Sequence, residues 1–340
     1  MPMQTSLMTN HYETRLVAIL LSTLLVLMAF SLIIGELNIS IINSLKSILN
    51  NESTLESIVF EEIRLPRTLL AVLIGASLGL SGAALQGMVR NPLAEPGVIG
   101  VSSSAALGAV IVFYFGLAAI FPMALPLGGI AGALLAVVFL YLLTGKNSSM
   151  LTLILAGVAV SSLSGALTAL ALNLSPNPYA SLEIFFWLMG SLADRSFTHV
   201  WLILLPTLLG WWLMLKGRRD LDVLSLGEDT AQSLGVNLAK LNRRIIIGVA
   251  LAVGSAVSVS GGIGFVGLVV PHLLRPHVGY QPGRLLICSA LGGAILLLAA
   301  DMIVRLIPTQ QELKIGVLTA LLGAPFFLHL ILKSRRESLS

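Results

Sequence analysis

Marking every Lys and Arg along the 340 residues leaves eight charge-free runs of sixteen or more: 16–35, 68–89, 96–145, 147–182, 196–215, 245–274, 285–300 and 315–332. A helix that crosses a bilayer needs about 20 apolar residues, so runs this long and this frequent set the fold class. Only 11% of the residues are charged and 56% are hydrophobic, against roughly 25% charged in a soluble domain. A soluble enzyme, a disordered tail and a single-anchor receptor are excluded. An open sheet cannot satisfy its backbone in lipid, which leaves an all-α polytopic membrane protein. The net charge of +4 predicts no nucleic-acid partner, because the Lys and Arg have topological work to do and no tail is strongly basic. The lone Cys288 excludes an intrachain disulfide. Residues 16–35 lead to Glu36 with no small-residue cleavage pattern and are expected to be a retained first span.

The runs divide into ten spans, near 16–35, 66–88, 97–116, 122–144, 150–172, 197–216, 243–262, 265–277, 284–306 and 314–333. The run 96–145 breaks at Phe121-Pro122 and Pro126, where prolines remove backbone donors. After the fifth span, "NLSPNPYAS" is turn chemistry, and the short apolar segment Ile184–Leu192 is expected flat at the interface with Trp187 as anchor. The run 245–274 is either one long tilted helix or a full span ending at Gly261-Gly262 followed by a short helix. Ten helices put both ends and the loops at 88–95, 145–149, 216–244 and 276–284 on one side. That side collects fourteen Lys and Arg, and the other keeps Lys46, Arg64, Arg67, Arg195, Arg305 and Lys314. The rich side is cytoplasmic by the positive-inside rule, so both termini are expected inside.

The segment from Gly75, "GASLGLSGAALQGMVRNPLAEPGVIG", aligns with that from Gly254, "GSAVSVSGGIGFVGLVVPHLLRPHVG", matching Gly75, Ser81, Gly82, Pro92 and Gly100 to Gly254, Ser260, Gly261, Pro271 and Gly279. The segments lie five helices apart, so the second copy runs the other way: a weak inverted repeat of transporter type. Small residues that favour close helix packing give such matches as well.

Between the sixth and seventh spans lies the longest polar inner segment, 217–242. Glu228 and Asp229 suit the positive end of a short helix, and Gly235 suits its left-handed stop. It is either an inert amphipathic loop or a docking knob for a cytoplasmic protein. At the outer face, Arg64 and Arg67 flank Pro66, and Arg305 ends the ninth span. These cations can present a rim to an acidic partner. Each also has a local explanation, since Arg305 can pair with Asp301 one turn earlier and the others can snorkel. "GMVRNPLAEPGVIG", with Asn91-Pro92 and Pro96-Gly97, is either a gate or a tight turn. His272 has no second His or Cys at metal-site spacing. No phosphate loop, H-E-x-x-H or G-x-S-x-G occurs. Asp301 stands alone near the outer end of its span, so a chain of acids for proton relay is missing.

"IRLPRTLLAVLIGASLGLSGAALQGMVRNPLAEPGVIGVSS", "LGEDTAQSLGV", "SGGIGFVGLVVPHLLR" and "ELKIGVLTALLGAPFFL" resemble the FecCD-like permeases, the membrane subunits of bacterial type II ABC importers for iron-siderophores, haem and cobalamin. The similarity covers about residues 15 to 333. It implies a second permease subunit, expected to be another copy, two ABC ATPase subunits carrying ATP and Mg, and a periplasmic or lipid-anchored binding protein, in the bacterial inner membrane. By this resemblance Glu228, Asp229, Ala231, Leu234 and Gly235 are the ATPase-coupling contacts. Arg64, Arg67 and Arg305 dock the binding protein, and Asn91 and Leu93 form the cytoplasmic gate. Lys314 stands where the family often has proline. The implied mechanism is alternating access, with the coupling helices shifting the second to fifth spans about the pathway. No cofactor is expected on this chain, which is not expected to be an enzyme. An ion-coupled carrier and an intramembrane enzyme are the competing classes.

Overall fold

The computed structural model describes residues 2–35, 40–50, 52, 54–121, 123–145, 150–175, 178–308 and 312–337. Ten helices carry the architecture: α1 (Pro2–Ile33), α2 (Leu65–Val89), α3 (Val101–Tyr114), α4 (Ala124–Thr144), α5 (Met150–Asn173), α6 (Phe197–Lys216), α7 (Leu238–Ser260), α8 (Val266–Leu274), α9 (Pro282–Leu306) and α10 (Ile315–Glu337). Among the described residues, seven helices are long and apolar enough to cross a membrane. The apolar stretches Val101–Tyr114 and Ile315–His329 are shorter, and α8 has only nine residues.

Local chemistry starts and stops them. The Asn237 side chain accepts from the Lys240 N–H at 2.9 Å and caps α7, satisfying a donor that the helix cannot. Ser196 and His199 form a reciprocal capping box at the head of α6. The outer end of α2 differs from expectation, because the helix does not begin at Pro66. A helix at Leu55–Ile58 and a π-helical stretch at Val59–Arg64 run straight into it. The Leu65 N–H bonds back to the Phe60 carbonyl, five residues away, and this wide turn accommodates the proline that follows with no N–H of its own.

The run 245–274 resolves into two helices, α7 and α8, broken at 261–265. Gly261 takes φ 72° and Phe265 takes φ 67°, a conformation that a bulky residue adopts only under constraint from its surroundings. The aligned Gly100 and Gly279 both close a 3-10 turn with positive φ. Because the chain reverses once more at the break, both turns lie at the same end, and the opposed direction is carried by α2 and α7.

At the centre α2 packs on α9, α7 and α8. A Cβ on Gly79 would sit 2.0 Å from the Ser289 carbonyl oxygen, and one on Gly75 would sit 2.4 Å from that of Gly293. Backbones this close gain dispersion contacts, which drive helix association where lipid removes the hydrophobic effect. Leu70, Ile74, Leu80 and Leu85 fill the surrounding core. The outward residues are apolar as well: Phe139, Leu142, Trp201 and Leu205 are exposed, as a lipid-facing surface requires.

The helix Pro178–Leu188 departs from its expected place. It packs on α3, and Trp187 is buried against Phe113. The indole is buried in the protein, because the turn that follows it packs on the break between α7 and α8, where the Ser191 N–H bonds the Ser260 carbonyl at 2.8 Å and the Gly262 N–H bonds that of Leu188 at 3.3 Å. A Cβ on Gly261 would lie 2.0 Å from the Trp187 carbonyl oxygen.

Candidate functional site

Ion pairs sort the two ends. At the end expected to be inner, Glu13 holds Arg218 and Arg284 at 2.7 and 3.1 Å, Arg244 reaches Asp220 at 3.3 Å, and the Asp222 carboxylate accepts from the Gly283 N–H at 2.6 Å. At the opposite end, expected to be outer, Arg64, Arg67, Asp301, Arg305 and Glu312 gather with the end of α1.

The inner segment folds into two short helices, Arg218–Leu224 and Glu228–Ser233. Glu228 and Asp229 occupy the first turn of the second, beside its unpaired amides. Its C-terminus closes in a Schellman arrangement: Gly235 takes φ 87°, the Gly235 N–H bonds Gln232 and the Val236 N–H bonds Ala231. Ala231 is fully buried and anchors the helix on its own chain, so it offers no surface to a partner. That corrects the expected contact role. Asp229, Leu234 and Gly235 are exposed, and Leu226, which the sequence reading passed over, is exposed beside them.

The Arg90 guanidinium meets the Glu228 carboxylate at 3.1 Å. Arg90 ends α2 in the left-handed conformation, φ 55°, and begins the loop expected to be a gate. There the Asn91 Oδ1 accepts from the Leu93 N–H at 2.9 Å and the Asn91 carbonyl accepts from the Ala94 N–H at 3.2 Å, a side-chain-braced turn. Asn91 and Leu93 are exposed. Glu95 is not, and burial pushes its carboxyl above the usual range. Behind the Glu228 helix a cavity of about 630 Å³ is lined by Met88, Tyr141, Leu224 and Asn242, so the helix is not backed by solid core.

The outer arginines do not form an exposed rim. Arg64 donates to the Leu32 carbonyl at 2.9 Å and also to that of Ile33. Arg67 Nε donates to Asp301 at 2.9 Å, and its terminal nitrogen binds Glu312. Arg305 reaches Asp301 at 3.0 Å and donates to the Ser31 and Ile34 carbonyls, both at 2.9 Å. Each of the three expected docking cations therefore already holds a partner on its own chain. The π-helical extension carries Arg64 inward onto α1, and a fully buried Asp301 draws the other two together. A charge so placed needs partners, and Asp301 finds them in both guanidiniums. Among the described residues no cluster of His, Cys, Asp and Glu could hold a metal.

Residues 23–333 match the family model described as the FecCD transport family. The chain belongs to that family. It is 38% identical over 339 residues to the hemin transport system permease HmuU of Yersinia pestis, covering 97% of this chain and 99% of the relative. It is 42% identical over 283 residues to the vitamin B12 import permease BtuC of Vibrio cholerae, covering 83% and 85%. It is 43% identical over 283 residues to the ABC transporter permease YvrB of Bacillus subtilis, covering 82% and 80%. A solved structure described as an inward-facing conformation of a metal-chelate type ABC transporter superposes with TM-score 0.82 at 35% identity, covering 94% of this chain and 99% of the other.

Within this FecCD-family chain, sequence reasoning missed Arg90 as the link between loop and short helix, and Glu312 as the second carboxylate on Arg67. Arg90 carried a signal, a basic residue at a helix end next to Asn91-Pro92. Glu312 carried none, since its partner lies 245 positions away.

Proposed function

We propose that this chain is the membrane-spanning permease subunit of an ATP-driven importer that moves an iron chelate, ferric siderophore or haem, into the bacterial cytoplasm through the inner membrane. Cobalamin is the second reading, favoured by the likeness to BtuC. The observation that carries the mechanism is the Arg90–Glu228 ion pair. It ties the exposed inner helix, where a partner ATPase would press, to the loop of Asn91 and Leu93 at the foot of α2. Motion of Glu228–Ser233 into the cavity behind it then pulls directly on that loop, and packed helices convert a small shift into a switch of access.

A second copy of the chain would complete the pathway. Ala320 and Ala324 line a surface groove of about 560 Å³ on α10, at the four-residue spacing that lets helices approach closely, while Gly316 one turn earlier is already closed by the Met189 carbonyl of its own chain. Outside, an acidic binding protein would reach Arg67 by replacing Glu312, which is the more exposed partner of that pair. Arg64 and Arg305 would orient it from behind.

Reconstitution in proteoliposomes tests this reading. Uptake of radioiron chelate should require the ATPase subunits, ATP and the binding protein together. Uptake driven by an ion gradient with this chain alone would refute it in favour of a carrier, and chemical turnover in detergent would refute it in favour of an enzyme.

A further inference from the structure

Helix α8 contains a gap that its own backbone cannot close. In an α-helix each carbonyl accepts from the N–H four residues on, and the residue four past Gly267 is Pro271, which has no N–H. The Gly267 carbonyl is therefore left without its helical donor in a buried stretch of the protein, and such a group needs a partner. The partner comes from another helix: Gln86 of α2 donates to it from Nε2 at 3.3 Å. The other end of the same amide is also held. Arg275, which follows α8, donates from Nη2 to Gln86 Oε1 at 2.6 Å. A guanidinium can only donate, so the amide oxygen must face Arg275 and the amide nitrogen must face Gly267. One buried side chain, 2% exposed, thus holds α8 near its start and at its end.

The two helices also touch backbone to backbone, since a Cβ on Gly82 would sit 1.9 Å from the same Gly267 carbonyl oxygen. One turn beyond Gln86 along α2 stands Arg90, which holds Glu228. At its start α8 carries Phe265, whose carbonyl accepts from the Leu268 and Val269 N–H groups at 3.1 and 2.8 Å. Phe265 is thereby fixed to the first turn of α8, while its ring lies against α10: a Cβ on Gly323 would stand 2.2 Å from Phe265 Cγ. A cavity of about 110 Å³ lined by Phe265, Thr319, Leu322 and Phe326 lies alongside, which leaves the ring room to shift.

Building on the importer reading above, we propose that Gln86 is a positioning residue for transport: it locks α8 to α2, so that a pull delivered at Arg90 moves both helices as one body and reaches α10 through Phe265. Packed helices otherwise slide past one another by small shears, and Gly82 against Gly267 offers no side chain to resist one. The route ends on α10, the helix assigned above to the contact with a second copy, and so at the shared pathway.

The test uses the full assembly in proteoliposomes, with ATPase subunits and binding protein. Radiolabelled haem, a radiolabelled ferric trihydroxamate and radiolabelled cyanocobalamin are each offered to the wild type, and the probe it imports is used for the variants. Gln86→Met keeps the side-chain volume, removes both hydrogen bonds, and should lower uptake per ATP hydrolysed by about twofold or more. Phe265→Gly, which eases the positive φ and removes the ring, should do the same. Adding Arg90→Ala to Gln86→Met should cost nothing further, because both lie on one route. The pairing of Gln86 with the proline gap has its own readout. Pro271→Ala returns an N–H to α8, so Gln86→Met should lower the thermal midpoint less in that background than in the wild type. Wild-type uptake per ATP in Gln86→Met or in Phe265→Gly, additive losses with Arg90→Ala, or equal midpoint losses in the two backgrounds would overturn the proposal. A Gln86→Met chain that failed to assemble would leave Phe265→Gly to decide. The importer reading fails on a different result: no ATP-dependent uptake of any probe by the wild-type assembly.

Discussion

Asp301 carries the guanidiniums of Arg67 and Arg305 on a single carboxylate with no exposure. Removing that charge leaves two buried cations facing each other, and breaking such a pair costs about 3–5 kcal/mol. Asp301→Asn should lower the midpoint of thermal unfolding in detergent steeply, whereas Glu312→Gln, at the half-exposed end of the same cluster, should lower it little. Equal losses would show that burial is not what sets the cost. Glu95 makes the opposite case. Burial disfavours its ionised form, so its folded pKa lies above its unfolded one. The resulting penalty is absent below the unfolded value and fully present above the folded value. Glu95→Gln should therefore raise the unfolding midpoint at neutral pH, and the gain should vanish as the pH falls through the unfolded carboxyl range.

Among elements, the pairing of α2 with α9 depends on absent side chains. With a Cβ on Gly79 placed 2.0 Å from the Ser289 carbonyl, the obstruction is backbone and cannot rotate away. Overpacking costs typically about 1–3 kcal/mol. Gly79→Ala should lower the unfolding midpoint by that measure, while Gly235→Ala, with open space around it but φ 87°, should disturb only the short inner helix. Comparing hydrogen exchange at 228–236 with exchange at 70–85 separates the two. Loss of protection across α2 in Gly235→Ala would contradict this division.

For the whole molecule, the Arg90–Glu228 pair is worth little to stability, since both side chains are 44% exposed and surface pairs contribute about 0–1 kcal/mol. Its effect should appear in coupling instead. In the reconstituted importer, Arg90→Ala and Glu228→Ala should each lower chelate uptake per ATP hydrolysed, and the double substitution should be no worse than either single one, because both remove the same link. Fully additive losses would mean that the two residues act through separate routes. A Cys at position 228 in a Cys288→Ala background should react with membrane-impermeant maleimide only from the cytoplasmic side. Labelling from outside would reverse the topology on which the importer reading rests.

The sequence by itself determined the membrane class and the rough order of ten helices. Hydrocarbon forbids charge and unpaired backbone wherever it is met, so those constraints are written in the distribution of Lys and Arg. It also marked the inner helix, because a stop at Gly235 and acids at its start are local chemistry. What only the tertiary structure decided were matters of partnership across long separations. Arg67 and Arg305 turn inward on Asp301, Ala231 faces its own chain, and Trp187 lies inside the protein. Local pattern shows that a side chain is polar or apolar, but which atoms stand opposite it depends on how helices remote in sequence approach one another.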